Sequence, residues 1–162
     1  KGRYAFSQKD NPMDLDTVGA VEFGQSLSGL GLNLLVKDVP RSVGFFAAVF
    51  EMQAFQPTKD FAILRTGGSV LQLHADSTYH SNPLLQLVPD AGPRGGGAEI
   101  RLYDIDPDTA QSRATKIDGV MILQTATNKP HGLREAYILD PDGYCWVPSR
   151  CLTQAEIGAL EA

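Results

Sequence analysis

The sequence is poor in the side chains that chemistry most often uses. Its 162 residues include two cysteines, three histidines and one tryptophan. Cys145 and Cys151 form no Cys-x-x-Cys motif and have no histidine beside them, so nothing marks either as a nucleophile or a thiolate metal ligand. We read both as free thiols in a reducing, cytoplasmic setting. Excess positive charge is missing as well. The 14 Lys and Arg stand against 19 Asp and Glu, for a net charge of -5, which leaves no electrostatic footprint for nucleic acid. Long apolar runs are also lacking. The longest, Val43 to Phe50, has eight residues against the roughly 20 of a membrane span, and Lys1 to Ser26 contains no signal-peptide apolar core.

What is present is ordinary for a soluble globular domain. The chain is 43% hydrophobic and 20% charged, long enough to bury a core without disulfide or metal staples. Residues 1–26 have no clear periodicity and read as an N-terminal extension. Leu30 to Val36 has strand length; Asp38 then caps a helix in which Ser42, Phe45, Phe46, Val49 and Phe50 recur at helical spacing. A short strand near Ala54 to Gln56 precedes two longer ones, Phe61 to Thr66 and Val70 to Ala75, joined by Gly67-Gly68. Residues 77–96 form a long connection punctuated by Pro83, Pro89 and Pro93, with Leu84 to Val88 apolar enough to pack.

After that connection the pattern returns. Ala98 to Tyr103 reads as a strand, and Asp106-Pro107 opens a helix that runs to about Ile117. Val120 to Thr125 alternates as a strand. Leu133 to Leu139 and Tyr144 to Val147 flank the turn Asp140-Pro-Asp-Gly143, and Thr153 with Glu156 forms a capping box for a last helix. The chain is therefore a repeat: an extension (1–26), a first module (27–76), a connection (77–96), a second module (97–150) and a C-terminal helix (151–162). Gly31 aligns with Gly97 at an offset of 66, and Gly68 with Gly143 at an offset of 75. Each module is one βαβββ unit with a helix on one face only. The expected fold is α+β, with tandem modules forming a curved mixed sheet around a cleft.

Two stretches carry a family likeness. The first is Val36-Lys-Asp-Val-Pro-Arg-Ser-Val-Gly-Phe-Phe46 at a strand-helix junction; the second is Gly132-Leu-Arg-Glu-Ala-Tyr-Ile-Leu-Asp-Pro-Asp-Gly143. With the doubled βαβββ layout they resemble the vicinal oxygen chelate superfamily of glyoxalases, extradiol dioxygenases and bleomycin-resistance proteins. The resemblance covers roughly Leu30 to Ser149 and implies a cleft, a small-molecule partner and a homodimer. In metal-using members four strands supply ligands, and the corresponding positions here are Gly31, Gln72, Gly97 and Val147. Such a set offers one weak ligand where a divalent site wants His nitrogen or carboxylate oxygen. The character implied is that of a metal-free, bleomycin-resistance-like member.

Alternation then assigns faces. If Gly31 and Gly97 face the cleft, so do Asn33, Leu35, Glu99 and Arg101, and Val70 and His74 share the side of Gln72 as Cys145 shares that of Val147. The opposite set, Leu32, Leu34, Val36, Ala98, Ile100 and Leu102, is uniformly apolar and suits a helix-facing core. The candidate ligand-binding residues are Asn33, Leu35, Gln72, His74, Glu99, Arg101 and Val147, with no catalytic residue and no metal assigned. The main expectation is binding of a small organic molecule in the cleft. Its alternative is a lyase, isomerase or dioxygenase whose divalent metal sits near His74 and Glu99, displaced ~6 to 7 Å along the strands at ~3.3 Å per residue. A third reading is an interaction module acting through the N-terminal arm. His80 and His131 read as exposed loop residues, Trp146 as core, and Asp140 and Asp142 as turn formers.

Overall fold

The computed structural model describes residues 13–160. The expectations for residues 1–12 and for the last two residues lie outside this range. The arm contains a short helix, α1 (Ala20–Ser26), and the first module follows as β1 (Leu32–Val36), α2 (Val39–Phe50), β2 (Gln53–Phe55), β3 (Phe61–Thr66) and β4 (Ser69–Ala75). The second repeats it as β5 (Ile100–Tyr103), α3 (Pro107–Ala114), β6 (Met121–Asn128), β7 (Leu133–Leu139) and β8 (Cys145–Cys151), and α4 (Gln154–Leu160) ends the described chain. The connection holds two 3-10 turns, Asp76–Tyr79 and Pro83–Leu87. Leu84 and Leu87 there are exposed, so the expected packing of that segment is limited to the half-buried Leu85 and Val88.

The α+β layout of tandem βαβββ modules is present as two mixed four-stranded sheets, ordered β1-β4-β3-β2 and β5-β8-β7-β6, which do not close into a barrel. Both helices start as the sequence indicates. The Asp38 carboxylate accepts from the Arg41 amide at 2.9 Å and Asp106 from the Thr109 amide at 3.0 Å, each with Pro in the first turn. One face of each sheet packs on these helices in a shared core of Phe45, Phe46, Phe50, Leu64, Leu73, Ile138 and Trp146. Trp146 is fully buried, meets Phe46 edge-on with centroids 4.8 Å apart, and donates its indole N–H to Asp140 at 2.9 Å. Burial raises the Asp140 carboxyl above its ordinary range, against the pull of that N–H and of two backbone amides.

The β7–β8 turn also locks the modules together. Asp142, expected as a turn former only, accepts from the Lys37 amide at 3.1 Å and from Arg41 at 3.3 Å. The Tyr144 hydroxyl donates to the Leu35 carbonyl at 2.9 Å, and the Arg94 and Gly95 amides donate to the carbonyls of Asp142 and Gly143, both at 3.1 Å. Gly143 has φ +84°, and a Cβ there would come within 2.4 Å of the Pro93 backbone, so only glycine fits.

Strand pairing corrects the repeat register. Leu71 lies 39 residues beyond its partner Leu32, and Trp146 lies 46 beyond Ile100, so the two offsets differ by seven rather than nine. With the hairpins at 75, the first strands align at 68, the spacing that also relates the caps Asp38 and Asp106. Asn33 therefore matches Arg101, not Glu99. Gly31 and Gly97 both precede their strands, and Gly97 has φ +84°. An even-numbered slip keeps every side chain on its proper face, so hydrophobic alternation cannot detect it.

Candidate functional site

The sheet faces turned away from the helices are treated differently in the two modules. On the first, the arm lies across the strands. Leu15, Val18 and Phe23 bury themselves against Ile63, with Phe55, Phe61 and Val70 packed around them. Gln56 pins the arm by donating its amide to the carbonyls of Leu15 at 2.9 Å and Val18 at 3.0 Å. Two cavities remain between arm and sheet, of about 600 and 380 Å³. Phe23, Leu27 and Gln72 line both.

Four of the sequence-derived candidates belong to this half. Gln72 donates to the Asn33 side chain at 3.0 Å, an amide pair between the register partners of β1 and β4. Leu35 is buried, and its carbonyl receives both Tyr144 and Arg94. His74 packs between Phe61 and Tyr79 with ring centroids 5.1 and 5.2 Å away, and its Nε2 is buried without a hydrogen-bond partner among the described residues. Burial lowers the His74 pKa, because desolvation disfavours the imidazolium.

Among the described residues nothing roofs the second module's face in this way. Tyr103, Met121 and Leu123 are 61%, 58% and 54% exposed. Arg101 reaches from β5 across β8 to Glu135 on β7, while its other arm bonds Glu99 at 2.9 Å. His131 Nε2 approaches the same Glu135 oxygen at 2.8 Å. The Val147 and Ser149 positions lie beneath this crossing and are both 0% exposed. The Glu135 carboxylate, also 0% exposed, would be pushed up by burial, but hydrogen bonds from His131 and Arg101 hold it below the ordinary range. Its second oxygen has no partner among the described residues.

The structure thus joins Asn33 with Gln72 and Glu99 with Arg101, sets His74 apart among aromatic rings, and buries Leu35 and Val147. It adds Glu135, which with Arg134 follows the superfamily's habit before the Asp-Pro-Asp-Gly turn but whose sequence context left open whether its charge meets solvent or the cleft. His131 is exposed as expected, and it pairs with Glu135 across the start of β7. Cys145 and Cys151 are free and sit six residues apart on one strand, ~20 Å at ~3.3 Å per residue, beyond disulfide reach.

The divalent metal that metal-using members of the superfamily hold does not fit these residues. With the corrected register Gly31 is matched by Glu99 rather than Gly97, but Glu99 is bonded to Arg101, and the strand partners of Gln72 and Val147 are Asn33 and Arg101, an amide and a guanidinium that would repel a cation. The displaced set fares no better, since Asn33 is bonded to Gln72 and Glu99 to Arg101. Among the described residues no three His, Cys, Asp or Glu side chains gather into a metal-binding group. No described helix is long and apolar enough to cross a membrane.

No family model and no curated protein matches the sequence. Solved structures do. A glyoxalase/bleomycin resistance protein/dioxygenase family enzyme from Burkholderia phytofirmans PsJN superposes with a TM-score of 0.63 at 18% identity, over 75% of this chain and 97% of that one. A glyoxalase-related enzyme from Fulvimarina pelagi gives 0.61 at 18%, over 76% and 87%. TioX from Micromonospora sp. ML1 gives 0.56 at 28%, over 77% and 99%. The fold is the one these glyoxalase/bleomycin-resistance proteins share. Nearly the whole of the first and third structures is matched while about a quarter of this chain lies outside, so it carries residues without a counterpart in them.

Proposed function

We propose that this chain, built on the glyoxalase/bleomycin-resistance fold, binds a small organic molecule under the arm of its first module and does so without a metal. The observation that carries this reading is the pair of cavities between arm and sheet. Their volumes, about 600 and 380 Å³, fall in the range of small-molecule pockets, and their walls combine apolar side chains with the Gln72 amide. Catalysis is not part of the reading. General acid-base work needs a titratable group facing the ligand, and the described lining of these cavities offers no His, Asp or Glu.

Fluorescence titration with the neutral apolar dye N-phenyl-1-naphthylamine tests the site. One dye should bind per chain, unaffected by a chelator, and Phe23→Ala should weaken it about tenfold, since Phe23 lines both cavities. Saturable binding that survives Phe23→Ala unchanged, or that vanishes with chelator, overturns the reading. A homodimer belongs to the same proposal. Exposed Tyr103, Met121 and Leu123 and the open outer edge of β6 form the surface it would use. Sedimentation velocity giving a monomer at micromolar concentration removes that part.

A further inference from the structure

Resting on the pocket proposed above, we infer that its ligand is an amphipathic monoanion, with an apolar body lying under Phe23 and a single carboxylate- or sulfonate-like group at Arg65. The ion pairs of the described arginines single Arg65 out. Arg41, Arg94, Arg101, Arg113, Arg134 and Arg150 each pair with an Asp or Glu side chain. Arg65 has no such partner among the described residues. Its guanidinium donates to the neutral Gln53 side chain at 2.6 Å and stacks over the Phe55 ring at 4.8 Å. Those contacts fix the group's position without neutralising it.

The surroundings agree in sign. Arg65 is the one charged side chain among the described residues lining either cavity, and no carboxylate lines them. This is a local reversal in a chain of net charge -5. Ser28 and Ser69 belong to the same lining, and a serine hydroxyl can donate to an anion. Met13, Leu15, Phe23, Leu27, Val70 and Ile63 make an apolar stretch of the same wall that matches a ring or an alkyl body. A dication would meet an uncompensated guanidinium, and a polyanion would find a single cation. An apolar monoanion satisfies both parts.

Two dyes of nearly equal shape separate the charge from the body. These are 8-anilinonaphthalene-1-sulfonate, a monoanion, and N-phenyl-1-naphthylamine, its neutral counterpart. Arg65→Met should weaken the sulfonate dye about tenfold and leave the neutral dye within twofold, and Arg65→Lys should restore most of the sulfonate affinity. Arg113→Met, which removes a paired arginine at a site away from both cavities, should change neither. Equal effects of Arg65→Met on both dyes, or no effect on the sulfonate, overturn the monoanion inference while leaving the pocket standing. Failure of both dyes to bind the parent protein overturns the pocket itself. Unfolding midpoints of the variants, measured alongside, separate lost affinity from lost fold.

Discussion

On the first module the helix-free sheet face lies under Leu15, Val18 and Phe23 of the arm; on the second, among the described residues, it is bare except where Arg101 crosses β8 to reach Glu135. Both faces belong to the same βαβββ topology, and both need covering because strands that pack on helices still present their other side to water. The first module meets the need with apolar contact, an entropically simple solution that leaves cavities. The second meets it with an ionic bridge that shields Val147 and Ser149 while keeping a carboxylate in the interior. The first is therefore suited to hold something else, and the second to hold itself together.

The largest expected effect breaks the second module's solution. Arg101→Met leaves Glu135 buried with only His131 beside it, and should lower the unfolding free energy in urea by about 3 kcal/mol, the usual cost of stranding one member of a buried pair. Adding Glu135→Leu should recover most of that loss, because replacing both charges removes the stranded one. A double variant no more stable than the single would show that the bridge is not what holds this face.

A smaller effect sharpens the first module's side. Gln56→Met removes both hydrogen bonds to the arm, at about 1 kcal/mol each. Amide exchange around residues 15–23 should then quicken about 30-fold, the equivalent of ~2 kcal/mol. Exchange in β7 and β8 should stay as it was; a change there would mean that the arm stabilises the whole molecule rather than one face.

The smallest effect is a pH slope on the same module. The folded His74 pKa lies below its ordinary value, so between the two values the unfolded chain holds more protons and stability rises with pH. That contribution is present above the ordinary histidine pKa and is lost as pH falls through the folded one. Unfolding midpoints from pH 7 to 5 should therefore decline less steeply in His74→Phe than in the parent. An identical slope would place the titrating group elsewhere.

Much of the fold was legible beforehand, for reasons that individual residues show. The caps Asp38 and Asp106, the glycine turns at Gly67-Gly68 and Asp142-Gly143, and the apolar set Leu34, Val36, Ile100 and Leu102 are local signals, and each reports on its own neighbourhood. Register was not legible. A two-residue slip preserves the faces, which is why the pairing of Asn33 with Gln72 and of Arg101 with Val147 emerged only from the strands themselves.

The candidate residues divide in the same way. Alternation placed Asn33, Gln72, His74, Glu99 and Arg101 on the helix-free face, but exposure depends on what crosses above. Val147 lies under Arg101, and Leu35 is sealed at the seam by Tyr144 and Arg94, partners 109 and 59 residues distant. Glu135 became a participant only once β8 lay between it and Arg101.

The sequence by itself determined the doubled module and the turn that joins its last strands, because these follow from residue type and local spacing. Only the tertiary structure decided which face the arm covers and which arginine is left without a carboxylate. Both depend on contacts between segments tens of residues apart, and no local pattern encodes which partner a charge or an apolar surface will meet.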